Sequence, residues 1–140
     1  MVLVKVLVSD EYTRPILGAE DEVLQRHIPL IVVTAEALSS AGMSALSATD
    51  AATAIRAGAK VVDVRTAAQH ASNGLPGSIS LPLTGIEAGE VPNGVALQET
   101  FFVVCEVGGF SELAAAYLQA AGYAGAHSVR GGLHALRESW

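Results

Sequence analysis

Cysteine is almost missing from this chain: Cys105 stands alone among 140 residues. A single thiol excludes an internal disulfide and is compatible with a reducing cytosol. Positive charge is scarce as well. Lys and Arg number 8 against 14 Asp and Glu, giving a net charge of −6. No Lys/Arg cluster overrides that balance locally, so nothing offers nucleic acid or anionic lipid a basic field. No apolar run approaches the roughly 20 residues of a membrane-spanning helix. The apolar opening Met1–Val8 is interrupted by Lys5 and followed by Asp10. It lacks the basic start and long apolar core of a signal peptide. His70, His127 and His134 are scattered, without metal-ligand spacing. These absences predict a soluble, cytoplasmic protein with no nucleic-acid, membrane or metal partner.

What is present is a core. Hydrophobic residues make up 51% and charged residues 16%, a composition that argues against disorder. The length suggests one domain.

Met1–Val8 reads as a strand, Ser9–Gly18 as a loop and Ala19–Arg26 as a short helix. His27-Ile28-Pro29 stops that helix, because proline biases its predecessor away from helical angles. Leu30–Val33 reads as a second strand and Ala35–Ala41 as a helix ending at Gly42. The pattern becomes regular from Ser47, which with Asp50 resembles a capping box. The helix it opens stops at Gly58. Strands follow at Ala59–Arg65, Ser78–Leu81, Phe101–Cys105 and Ala126–Val129. Between them come helices at Ala67–Ser72 and Ser111–Ala121, and a last one at Gly132–Trp140. Thr84–Glu99 is Gly-rich and reads as loop with a turn of helix. Alternating strands and helices predict an α/β fold of three layers, α/β/α, around a mostly parallel sheet. Ligands in such folds bind at the carboxyl ends of the strands.

Cys105 ends an uncharged strand and precedes Glu106-Val107-Gly108-Gly109-Phe110, with a helix from about Ser111. Such a loop turns backbone N–H groups inward and aims a helix N-terminus at the sulfur, both of which stabilise an anion. Glycine permits the tight backbone angles this requires. A cysteine so placed tends to be reactive, whereas a lone Cys after an apolar strand also serves as a small buried hydrophobe. The loop alone leaves both readings open.

A resemblance favours the first. Ala59-Lys60-Val61-Val62-Asp63-Val64-Arg65 resembles the strand that opens the rhodanese core. Leu75-Pro76-Gly77-Ser78-Ile79 with Leu81-Pro82 resembles the next signature of that family, and Cys105 through Ser111 its active loop. Ala114-Ala115-Ala116, Ala121-Gly122-Tyr123 and Val129-Arg130-Gly131-Gly132-Leu133 continue the match in order. The likeness covers about Ala45 to Trp140. It implies a rhodanese-like domain over 46–140, preceded by an N-terminal extension (1–45) with strands packed on the core. It further implies sulfur transfer through a persulfide on Cys105. The substrate would be held by Glu106, Val107, Gly108, Gly109, Phe110, Ser111 and Arg65, with no metal or organic cofactor. The partner would be a small sulfane-sulfur donor or a persulfide-bearing protein.

The departures concern charge. The family loop resembles Cys-Arg-x-Gly-x-Arg-Ser, but Glu106 and Phe110 replace its arginines. A carboxylate beside the sulfur disfavours a thiolate and an anionic donor. Gly74 stands where a His is usual, and Gln69 where a Glu would pair with Arg65. Arg65 then either helps bind an anionic donor or makes a structural hydrogen bond at the strand end. Asp63 either orients the loop or stabilises a turn. Phe110 either walls a pocket or folds over the sheet edge. Two functions follow: a sulfurtransferase using a donor other than thiosulfate, or a non-catalytic binding or regulatory module. A phosphatase is rejected, because phosphate calls for a longer loop ending in Arg, and Phe110 and Ser111 stand there instead.

Overall fold

The computed structural model describes residues 13–15, 27–29 and 35–140. The expected strands Met1–Val8 and Leu30–Val33 and the helix Ala19–Arg26 lie outside the described residues. Strands β1 (Thr13–Pro15) and β2 (His27–Pro29) pair antiparallel, in the register Thr13↔Pro29 and Pro15↔His27. Both segments carry proline, and the sequence reading made the first a loop and the second a helix stop. A two-stranded ribbon reconciles them. Among the described residues each strand pairs on one side only, and proline is tolerated in a strand at such an edge.

The rest is a regular alternation. Helices α1 (Ala35–Met43) and α2 (Ala48–Arg56) lead into β3 (Lys60–Asp63), and α3 (Ala67–Asn73) into β4 (Ile79–Ser80). Then follow α4 (Leu83–Glu87), β5 (Phe101–Val104), α5 (Gly109–Ala120), β6 (Ala126–Ser128) and α6 (Gly132–Glu138). Strands β3 to β6 form one parallel sheet in the order β4-β3-β5-β6. Leu46 extends it by a parallel bridge to Val129.

The strand periodicity of two places successive side chains on opposite faces. Phe101, Val103 and Cys105 face a cluster built with Ala41 of α1, Ile86 of α4 and Ala114, Ala115 and Leu118 of α5. Phe102 and Val104 face Ala51 and Ala52 of α2 and Leu133 and Leu136 of α6. The three-layer α/β/α architecture around a parallel sheet is therefore as the sequence predicts. Full burial of each of the Phe, Val, Leu and Ile side chains among them stabilises the fold by roughly 1.5–3 kcal/mol. Phe101 also meets Tyr123 edge-on, centroids 6.1 Å apart, a favoured aromatic geometry.

Local signals explain the helix starts. Ser47 Oγ accepts the Asp50 N–H at 3.1 Å, which is one half of the expected capping box. The complete box stands one helix further on. Thr66 Oγ1 accepts from the Gln69 N–H, and Gln69 Oε1 accepts from the Thr66 N–H at 3.1 Å. Of the expected N-terminal extension, α1 belongs to the core layer: it lies against α5, and its Ala41 is fully buried.

Candidate active site

After β3 the chain crosses to β4 on one side, whereas β5 pairs on the other side of β3. The crevice at the carboxyl ends of β3 and β5 is thus a topological switch point, where open α/β sheets bind ligands. Arg65 follows β3 and Cys105 follows β5, so the two candidate residues come out side by side.

Cys105 is 4% exposed. Its Sγ accepts the Gly108 N–H at 3.0 Å, and its thiol donates to Ser111 Oγ at 3.6 Å. Gly108 adopts φ +106° as the N-cap of α5. A left-handed angle here starts the helix at Gly109, so Ser111 sits inside the first turn rather than at its head. Among the amides expected to cradle the sulfur, Gly108 N–H is the one within hydrogen-bond reach of Sγ. The loop's carbonyls are held on the opposite side. The Leu133 N–H donates to the Cys105 carbonyl at 2.8 Å and the His134 N–H to that of Glu106 at 3.1 Å. The N-terminus of α6 thus grips the loop from behind.

A cavity of about 300 Å³ opens above the sulfur. Val64, Pro82, Leu83 and Phe110 give it apolar walls, and Arg65 and Glu106 supply charge. Phe110 is 67% and Val107 70% exposed, so Phe110 walls the pocket instead of folding over the sheet edge. A larger cavity, about 560 Å³, is lined by Ile55, Lys60, Leu75 and Trp140. It touches the start of β3 rather than its end and contains no thiol, so its size does not make it the reactive centre.

Arg65 has partners on every side, although the Gln69 substitution suggested it would lack one. Its Nε donates to Asp63 Oδ1 at 3.1 Å and its Nη2 to Asp63 Oδ2 at 2.9 Å. Its Nη1 donates to Asn73 Oδ1 at 2.8 Å and to Glu106 Oε2 at 3.1 Å. The hydrogen bonds that Arg65 donates to Asp63 hold the guanidinium above its already high ordinary pKa, against the opposing effect of burial. Gln69 is spent on its own helix cap. Asp63 also accepts the Arg65 backbone N–H at 3.0 Å, so it both turns the chain and orients Arg65. Glu106 does not simply face solvent. It bridges Arg65 to Arg137, whose Nη1 lies 3.8 Å from its Oε1. Arg137 Nη2 in turn donates to the Asn73 carbonyl at 2.6 Å. Sequence reasoning missed Asn73 and Arg137, which carry no motif.

The histidines are accounted for locally. His70 meets Ser78, His127 meets the Ser44 carbonyl, and His134 pairs with Glu138. Among the described residues no group of His, Cys, Asp and Glu could hold a metal ion. None of their helices is long and apolar enough to cross a membrane.

The rhodanese-like domain family model matches residues 47–139. The chain belongs to the rhodanese-like domain family. Solved structures agree. A rhodanese homologue from Thermus thermophilus is 38% identical, with a TM-score of 0.53, covering 65% of this chain and 98% of that one. A human single-domain sulfurtransferase shares the fold at 20% identity and a TM-score of 0.61, covering 69% of this chain and 97% of that one. A protein of unknown function from Rhodopseudomonas palustris, described as a possible tyrosine phosphatase, is 26% identical with a TM-score of 0.60. It is matched over 74% of this chain and 87% of that one. Among curated proteins the search found no match.

Proposed function

We propose that this rhodanese-like domain is a sulfurtransferase that carries a persulfide on Cys105 and takes its sulfur from a donor other than thiosulfate. The observation that carries this reading is the placement of Cys105. Its sulfur sits at the floor of an apolar cavity at the switch point, with the Gly108 N–H on it at 3.0 Å. A buried cysteine serving only as a hydrophobe needs neither the cavity nor the donor.

The chemistry is covalent and runs in two halves. The Cys105 thiolate attacks the outer sulfur of a donor persulfide. The donor's S–S bond breaks, and the donor thiolate leaves with the electron pair. Cys105 then holds the outer sulfur as its own persulfide. An acceptor thiolate attacks that sulfur, and Cys105 leaves as thiolate. No net oxidation occurs in either half.

Donor choice follows from charge. Asp63 and Glu106 neutralise Arg65 and Arg137 around the cavity mouth. A neutral or apolar persulfide, or one presented by a partner protein, suits the Phe110 and Leu83 walls better than a small dianion. The same neutralisation favours a second reading, a non-catalytic binding module. Mass spectrometry after incubation with a panel of sulfane donors separates the two. A reducible gain of one sulfur on Cys105 supports transfer, and no gain from any donor leaves the module.

A further inference from the structure

Behind Cys105 lies a buried pair of hydroxyls that the transfer chemistry above leaves unused. Ser111 and Ser128 are both fully buried. Their Oγ atoms are 2.7 Å apart. Ser111 Oγ also reaches the Gly108 carbonyl at 3.0 Å and Cys105 Sγ at 3.6 Å. Ser128 comes from β6, seventeen residues beyond Ser111. It is a polar residue in a strand whose neighbours Ala126 and Val129 are fully buried.

Hydrogen counting orders this chain. Each serine has one hydroxyl hydrogen and can accept through its lone pairs. The contact with the Gly108 carbonyl needs the Ser111 hydrogen, so the Ser111–Ser128 contact must use the Ser128 hydrogen. The opposite arrangement would leave a buried Ser128 hydrogen without its acceptor, which is costly. With the sulfur as thiol, the S–H points at Ser111 Oγ, and every hydrogen has a place. With the sulfur as thiolate, that hydrogen is gone and the sulfur seeks a second donor besides Gly108 N–H. Ser111 supplies it by turning its hydroxyl from the Gly108 carbonyl onto Sγ. Ser128 keeps donating to Ser111 Oγ throughout.

We propose that Ser128 is a positioning residue: its hydroxyl polarises Ser111 and holds it where it donates to the Cys105 sulfur whenever that sulfur is negative. Donors in series strengthen one another in a low-dielectric interior. The inference rests on reading Cys105 as a reactive thiol, but not on its transferring sulfur.

The test is the pH profile of Cys105 alkylation by iodoacetamide, in the full chain, for wild type, Ser128→Val, Ser128→Thr and Ser128→Ala. Val and Thr share a shape and differ in the hydroxyl. Loss of the polarising donor should slow alkylation at neutral pH about threefold and move the midpoint of the profile up by about half a pH unit. Thr should restore the wild-type profile. Equal shifts in Val and Thr would mean packing alone and overturn the proposal, as would a Val profile that matches wild type. Should the Val variant fail to fold, wild type against Ala gives the same decision. Persulfide loading of the same proteins is measured by mass spectrometry. Wild type that alkylates with the expected Ser128 dependence but never gains sulfur would defeat the transferase and leave the Ser128 inference standing.

Discussion

The Arg65 Nη1 atom lies 3.1 Å from Glu106 Oε2, although 41 residues separate them in the chain. This pair lines the Cys105 cavity with a neutralised charge. In water, thiosulfate approaching a thiolate to about 4 Å meets roughly 1 kcal/mol of repulsion per charge pair, and about 4 at an effective dielectric of 20. The Arg65 cation that could offset it is already matched by Asp63 and Glu106. Thiosulfate turnover should therefore be weak, and Glu106→Gln should raise its kcat/KM about tenfold by freeing one face of Arg65. Salt should blunt the gain, because Glu106 is half exposed. Initial rates across an ionic-strength series check this, and an unchanged rate in the variant would remove charge as the cause. Replacing both Glu106 and Phe110 by Arg, which imitates the family loop, is the harsher change. It crowds a cation against Arg65 and Arg137, so part of its gain should be lost to instability.

Cys105→Ser should fold as wild type does, because the small oxygen can still accept the Gly108 N–H. It should gain no sulfur from any donor. Thermal unfolding and intact-mass measurement read the two halves of that statement separately. Transfer at the wild-type rate by this variant would disprove the covalent route.

A chain begun at residue 46 keeps the part that resembles the family and loses α1. Ala41 is fully buried, and Leu38 packs on the same cluster beside α5. Such a chain should still unfold cooperatively, but with stability reduced by on the order of 2 kcal/mol against one begun at residue 35. Urea unfolding of the two compares them directly. Equal midpoints would show that α1 contributes nothing.

Gly132 should tolerate no side chain. It has φ +62°, and a Cβ there would lie 2.6 Å from the Cys105 carbonyl oxygen. The obstacle is backbone, which cannot swing aside. Gly132→Ala should cost about 2 kcal/mol or more, the left-handed angle alone accounting for 1–2. It should also lower Cys105 reactivity, since the clash falls on the loop itself. Denaturant midpoints and alkylation rates in folded protein measure the two effects. A neutral substitution would contradict the close approach.

Much of this could be read from residue order. The uncharged run Phe101–Cys105, the Ser47 cap and the glycines after Cys105 each act through near neighbours, and their elements appear where expected. What escaped depends on distant partners. Glu106 reads as a bare negative charge until Arg65 and Arg137 are folded against it. Gln69 reads as a missing partner for Arg65 until the cap with Thr66 and the bond to Asn73 are seen. Ser128 left one faint sign, a hydroxyl between the apolar Ala126 and Val129 on a buried strand, that only the position of Ser111 explains. The β1–β2 ribbon was hidden because proline speaks against strands except at an edge.

The grip of α6 on the Cys105 and Glu106 carbonyls has a mechanical consequence. The loop cannot lift toward an incoming molecule by itself, since its rear is latched to the last helix. If the proposed transfer holds, donors of different bulk should be met at the rim, where Val107 and Phe110 stand in solvent. The Cys105 sulfur is thus tied to the frame of the sheet, while the side chains at its rim are the ones left exposed.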